Sequence, residues 1–232
     1  IKDQDDPHNN FYPRFNLVDT TSFQYLPDDH WKNTLCSMHE ESFFGPRSDS
    51  MWCQQALETL PMMLGASDML VCGEDLGFIP PCVHPIMEEL GIVGLRIQRM
   101  PSEQGAEFGD PEHYGYMTVA SPSSHDTTNF RAWYREDDDR RRRFCELFGL
   151  PGGEAPGDCS PDTVRAVVRQ HLNCPSMLAV FSIQDVIGMS RTLPQREPDE
   201  ETINVPSNPE HYWRYRMHVS LSDLESDGEL RN

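Results

Sequence analysis

Two short stretches of this 232-residue sequence concentrate groups able to do acid–base chemistry. In the first, Glu74-Asp75 follows directly on the apolar run "DMLVCG" (68–73) and precedes a glycine and two prolines. A carboxylate at the end of a buried strand is costly unless it is paired or put to use. In the second, "SPSSHDTTNF" (121–130) places His125-Asp126 just past another apolar run, "YMTVAS" (116–121). Two carboxylates at the carboxyl ends of different strands suit chemistry on a glycosidic bond. A retaining mechanism needs a nucleophile and an acid/base about 5–5.5 Å apart around an oxocarbenium-like transition state. One of them must hold a proton for the leaving oxygen, and a further carboxylate can stabilise the developing charge.

Each stretch also has a plainer reading. Glu74 and Asp75 could stabilise backbone N–H groups at a turn or helix start. Asp126 could cap the helix that follows it. Ser124, His125 and Asp126 include the residue types of a serine hydrolase, but consecutive residues seldom converge on one point, and no G-x-S-x-G elbow accompanies them. Gln184-Asp185 ends a further apolar run and is expected to cap the next helix. "HYWRYR" (211–216) alternates aromatic and basic side chains that could stack on sugars, though packing and surface pairing are commoner. Trp133-Tyr134 is expected in the core.

The elements that must position these residues alternate. Residues 1–30 are polar, punctuated by proline, and read as loop. Helices are expected over 28–44, with Trp31, Leu35 and Met38 at helical spacing, and over 50–65, where Ser50 suits the cap, Gly65 the stop, and Pro61 should kink or break the run. A short buried strand follows at 68–73, then a helix over 83–91 ending at Gly91, and a strand over 92–98. After a long loop come a strand over 116–121, one helix over 127–149, and a helix over 160–173 with Ser160 as cap and Pro161 in its first turn. A last strand is expected over 176–185. Within "EDDDRRRR" (136–143) the acids precede the arginines by four residues, as in helical ion pairs, so this run reads as a solvated helix face rather than a nucleic-acid patch. Strands alternating with helices predict an α/β fold with parallel strands, and in parallel barrels the active site is built at the carboxyl ends of the strands.

Bulk composition narrows the function. The formal charge is −19, which repels phosphate backbones and argues against nucleic acid. No run of about 18 apolar residues predicts a membrane span, and mean hydropathy is −0.61. Seven cysteines without a C-x-x-C spacing, and "HEES" in place of H-E-x-x-H, predict reduced thiols, no metal site and a cytoplasmic setting. No dinucleotide fingerprint or P-loop occurs. The start, "IKDQDDPHNNFYPRF", has neither an initiator Met nor a signal peptide and reads as the middle of a longer protein.

Several long stretches in order resemble one family. "FYPRFNLVDTTSF", "GEDLGFIPPCVHPIMEELGIVGLRIQRMPSE", "SHDTTNFRAWY", "RQHLNCPSML" and "ETINVPSNPEHYWRYR" look like the 4-alpha-glucanotransferases (amylomaltases and disproportionating enzymes), most of all their plant and algal cytosolic branch. The resemblance implies the C-terminal part of a (β/α)8 TIM-type barrel with insertions, with 1–232 as one incomplete catalytic domain. It implies transfer of glucosyl units from maltose or malto-oligosaccharides to glucan or heteroglycan acceptors, with no cofactor or metal. Residue by residue, Glu74 matches the general acid/base, Asp126 the acid that stabilises the transition state, and His125 a sugar contact in the donor subsite, with Asp75 a further expected sugar contact beside Glu74. The family's nucleophile lies in an Arg-x-Asp-His type motif that these residues lack; it is expected upstream of Ile1, leaving the isolated chain inactive. Where many amylomaltases carry His-Asp-Asn, this chain has His125-Asp126-Thr127. An alpha-glucan hydrolase and a non-catalytic glucan-binding scaffold are the alternatives.

Overall fold

The structure, a computed structural model, describes residues 14, 16–43, 45–77, 79–102, 105–152, 157 and 159–231. The chain divides into two compact units, Ile1–Ile92 and Val93–Asn232.

The first unit is mainly helical. A 3-10 turn at Leu17–Asp19 and a four-residue helix, α1 (Thr21–Gln24), lie within the stretch expected to be loop. Thr20 makes this possible, its hydroxyl accepting the Phe23 N–H. Helix α2 (Asp29–Phe43) forms as the spacing predicts, but Trp31 and Met38 stay more than half exposed. Helix α3 (Pro46–Leu64) starts four residues before Ser50, because Pro46 occupies its first turn with the helical φ already set. It runs through Pro61 without ending. Strand β1 is only Cys72–Gly73, shorter than the run 68–73, and Met69 and Leu70 are exposed rather than buried. The Ser67 hydroxyl accepts the Met69 N–H at 3.3 Å, a local bond that competes with strand pairing. Helix α4 (Val83–Leu90) ends at Gly91 as predicted, with φ of 69°, a left-handed conformation that costs glycine nothing.

The second unit holds a parallel sheet. Strands β2 (Val93–Ile97), β3 (Thr118–Ser121) and β4 (Leu178–Ala179) lie side by side in that order, with Gly94 opposite Thr118 and Val119 opposite Leu178. The last strand stops well short of residue 185. Ser182 and Asp185 form a reciprocal capping box that starts α8 (Ile183–Gly188), so the chain turns helical there. The expected helix over 127–149 is two: α5 (Phe130–Glu136) and α6 (Asp138–Phe148). Asp137 sits between them in extended conformation, and its carboxylate accepts the N–H groups of Asp139 and Arg140, both at 2.9 Å. That cap changes the ion pairing. Of the four expected pairs only Glu136–Arg140 forms at i,i+4, while Arg141 and Arg142 take Asp138 and Asp139 at i,i+3 and Arg143 turns to Glu107. Helix α7 (Pro161–Leu172) is capped by Ser160 as expected, and α9 (Leu221–Ser226) is the last helix among the described residues.

The core of this unit is aromatic. Phe144 is 1% exposed and meets Trp133 and Phe148 with ring centres at 5.1 Å, and Phe108 at 5.2 Å, edge to face. Trp133 and Tyr134 are buried here, as expected. A smaller cluster, Ile187, Leu193 and Val219, packs the C-terminal chain. All seven cysteines are free thiols. Among the described residues no helix is long and apolar enough to cross a membrane.

Candidate active site

In the second unit the carboxyl ends of β2, β3 and β4 border a cavity of about 280 Å³. Its walls are apolar at Ile97, Val119 and Phe181 and polar at Ser121, His125 and Glu201. That is the usual make-up of a small-molecule site, a largely apolar lining with a few placed polar groups. The volume suits about one sugar ring.

The loop after β3 is braced by its own hydroxyls. Ser121 Oγ donates to the Ser123 carbonyl at 2.7 Å, and Thr127 Oγ1 to the Ser124 carbonyl at 3.0 Å. The turn they make leaves His125 and Asp126 half exposed. The helix cap belongs to Asn129, whose Oδ1 accepts the Ala132 N–H at 3.0 Å, so Asp126 is free of that duty. Asp126 Oδ1 instead accepts from Asn204 Nδ2 at 2.7 Å, and its Oδ2 lies 3.4 Å from His125 Nε2. The His125 ring stands 5.5 Å from that of Trp213, which is 57% exposed. Arg99, two residues past β2, ties this loop down by donating to the Thr128 carbonyl and hydroxyl. Burial lowers the Arg99 pKa to about 10, with Glu136 acting in the opposite direction.

One wall of the cavity carries a buried ionic cluster. Glu201 is fully buried, with Oε2 3.4 Å from Arg131 Nη1 and Oε1 3.6 Å from His218 Nδ1. Burial pushes its carboxyl above the usual range, against the pull of Arg131 and His218. Asp185 is also raised by burial, opposed by its bonds to Ser182. It serves as the capping residue that was expected rather than as a site acid.

In the first unit Glu74 directly follows β1 and is exposed. The preceding Gly73 is packed closely. A Cβ there would lie 3.1 Å from Met87 Cε on α4 and 3.2 Å from Ile92 Cγ2, so glycine lets the backbone bearing Glu74 sit against its neighbours. Asp75 points the other way. Its side chain is 0% exposed and 3.0 Å from His84 Nε2.

Asn204, Glu201 and Trp213 were not singled out individually from the sequence. Asn204 and Asp126 are 78 positions apart, and no local pattern signals such a contact. Trp213 lies in the "HYWRYR" run, where surface pairing does occur: Arg214 stacks on Tyr212 at 5.2 Å. No group of three His, Cys, Asp or Glu able to hold a metal occurs among the described residues.

Comparison with known proteins agrees with this architecture. The family described as 4-alpha-glucanotransferase matches residues 32–222. The chain is 49% identical over 231 residues to the 4-alpha-glucanotransferase DPE2 of Oryza sativa subsp. japonica, covering 100% of this chain and 24% of that protein. It is 27% identical over 205 residues to a 4-alpha-glucanotransferase of Chlamydia trachomatis, covering 87% of this chain and 37% of the relative. The chain thus spans well under half the length of these curated relatives. Among solved structures, the amylomaltase from Streptococcus agalactiae in complex with acarbose superposes with a TM-score of 0.55 at 20% identity, over 74% of this chain and 32% of that one. That likeness shows the fold, an α/β arrangement with parallel strands consistent with part of the expected (β/α)8 barrel.

Proposed function

The chain belongs to the 4-alpha-glucanotransferase family, and from that premise we propose that it carries part of the catalytic site of an enzyme moving glucosyl units from maltose or malto-oligosaccharides to glucan or heteroglycan acceptors. The observation that carries the reading is Asp126. It stands just past the end of β3, released from helix capping, oriented by Asn204 and next to a cavity-lining His125. A carboxylate held this way can stabilise the positive charge that develops at the anomeric carbon.

The proposed reaction is a retaining double displacement. Glu74 gives its proton to the oxygen leaving the anomeric carbon while a carboxylate nucleophile forms the glycosyl ester. Glu74 then takes the proton from an acceptor hydroxyl, which attacks the same carbon and releases the carboxylate. No Arg-x-Asp-His segment occurs in these 232 residues, so the nucleophile is assigned to another part of the full-length protein, and the isolated chain should be inactive. His125 is proposed as a hydrogen-bond partner of the sugar in the cavity. The burial of Asp75 against His84 supports a positioning role, holding the backbone that carries Glu74, over contact with sugar. The enzyme is proposed to act in the cytosol.

The test is product analysis of the full-length protein with maltose as donor and glycogen as acceptor. Incorporation of labelled glucose into glycogen supports transfer. Release of free glucose without incorporation would make the protein a hydrolase, and absence of both would make it a glucan-binding scaffold.

A further inference from the structure

The segment that delivers Asn204 to Asp126 is held in place by buried polar groups. Residues 196–204 contain only one 3-10 turn, Pro198–Glu201, and otherwise no regular structure. Their backbone is gripped from helices α5 and α8 and from the residue that caps α5. Asn129 Nδ2 donates to the Pro198 carbonyl at 2.6 Å, Gln184 Nε2 to the Glu201 carbonyl at 3.1 Å, and Arg131 Nη2 to the Arg196 carbonyl at 3.3 Å. Arg135 adds outer pairs to Glu197 at 2.9 Å and Asp199 at 2.6 Å.

At the centre is the Glu201–Arg131 pair, with Glu201 0% and Arg131 7% exposed. Among the described residues, Glu201 Oε1 and His218 Nδ1 find no hydrogen-bond partner. As packing, this is poor design. A buried ion pair with incomplete hydrogen bonding is often no better than an apolar substitute of the same volume, and its best-attested use is to enforce one register. The register matters because Ile203, two residues on, lines the cavity, and Asn204 reaches Asp126.

We propose that Glu201 is a positioning residue for the transfer reaction: paired with Arg131, it locks residues 198–204 in the one register that brings the Asn204 amide onto Asp126. The proposal rests on the reading of Asp126 as the acid that stabilises the transition state. Although Glu201 borders the cavity, its side chain is 0% exposed, and the role assigned to it is to act through Asn204.

A double-mutant cycle in the full-length enzyme tests it, with kcat and KM measured for transfer from maltose to glycogen. Glu201→Gln keeps the volume and one acceptor for Arg131 while removing the charge. Asn204→Ala removes the group said to be positioned. Each alone should lower kcat roughly tenfold, about the worth of one hydrogen bond, with KM little changed, as for an interaction made in the transition state. If Glu201 acts through Asn204, the double variant is no slower than Asn204→Ala. A wild-type kcat for Glu201→Gln, or losses that multiply, overturns the proposal. Should Glu201→Gln fail to fold, Gln184→Met removes one backbone grip at constant shape, and the same non-multiplying loss with Asn204→Ala is required of it. Asp126→Asn at the wild-type rate would overturn the reading of Asp126 itself. Multiplying losses alongside an inactive Asp126→Asn would overturn the positioning role alone.

Discussion

Asn204 donates its side-chain amide to Oδ1 of Asp126 at 2.7 Å, although 78 residues separate the two. The contact fixes the direction in which the Asp126 carboxylate presents its charge, and it ties the loop after β3 to the irregular chain that follows α8. Aiming a charge before substrate arrives is what makes it effective at a transition state.

Asp126→Asn should therefore keep the fold and the Asn204 contact but lower kcat for glucosyl transfer on the order of 10²–10³-fold, the usual loss when one electrostatic stabiliser is removed. Steady-state kinetics of the full-length protein, with circular dichroism to verify folding, checks this. A loss confined to KM would make Asp126 a simple binding residue.

Glu74→Gln should lower transfer from maltose by about 10²–10⁴-fold, the range for a general acid or base. With glucosyl fluoride as donor the first step needs no proton, so a burst of fluoride equal to the enzyme concentration should persist. Loss of that burst would show that Glu74 does more than move a proton.

Asp75 and His84 sit 3.0 Å apart with the carboxylate shielded from water. If Asp75 positions Glu74, as proposed, Asp75→Asn is expected to lower kcat and leave the KM for maltose unchanged. A rise in KM at constant kcat would return Asp75 to the substrate contacts inferred from sequence.

Phe144 is 1% exposed at the centre of the aromatic cluster. Phe144→Ala should cost about 3–5 kcal/mol through lost burial and the cavity left behind. Urea unfolding of the full-length protein, followed by tryptophan emission, reads this through Trp133, whose ring lies 5.1 Å away. A change in midpoint too small to detect would mean that the cluster does not hold this unit together.

Asp227 accepts hydrogen bonds from Thr192, from Ser190 at 2.7 Å, and from the N–H groups of Glu229 and Leu230 at 2.8 and 2.9 Å. The Thr192 and Ser190 hydroxyls lead in lowering its pKa from 3.8 to about 2. A carboxyl held below its unfolded value stabilises the fold above that value and loses the effect as pH falls toward the folded one. Asp227→Asn should thus lower the melting temperature at neutral pH, with the gap to wild type closing between about pH 4 and pH 2. A gap independent of pH would show that shape, not ionisation, is what Asp227 contributes.

Elements set by short-range signals were legible in the sequence. Ser160 and Pro161 start α7, Gly91 ends α4, and the apolar runs 92–98 and 116–121 contain β2 and β3. The acids Glu74 and Asp126 were also visible, because an acid after an apolar run stands out and longer motifs around them mark a family. What failed locally failed through competition among neighbours. Asp137 captured two N–H groups and split a helix that periodicity alone would continue, and the Ser182–Asp185 box ended β4 after two residues.

Other features belong to the tertiary structure alone. That Asp126 caps nothing and is held by Asn204, that Asp75 turns inward to His84, and that Glu201 is buried against Arg131 are facts about side-chain direction and long-range contact. Sequence determines which groups are available and which backbone states they favour. Where a carboxylate points depends on which distant donor the packed chain brings within about 3 Å, and that distance exists only once the sheet and its helices have closed.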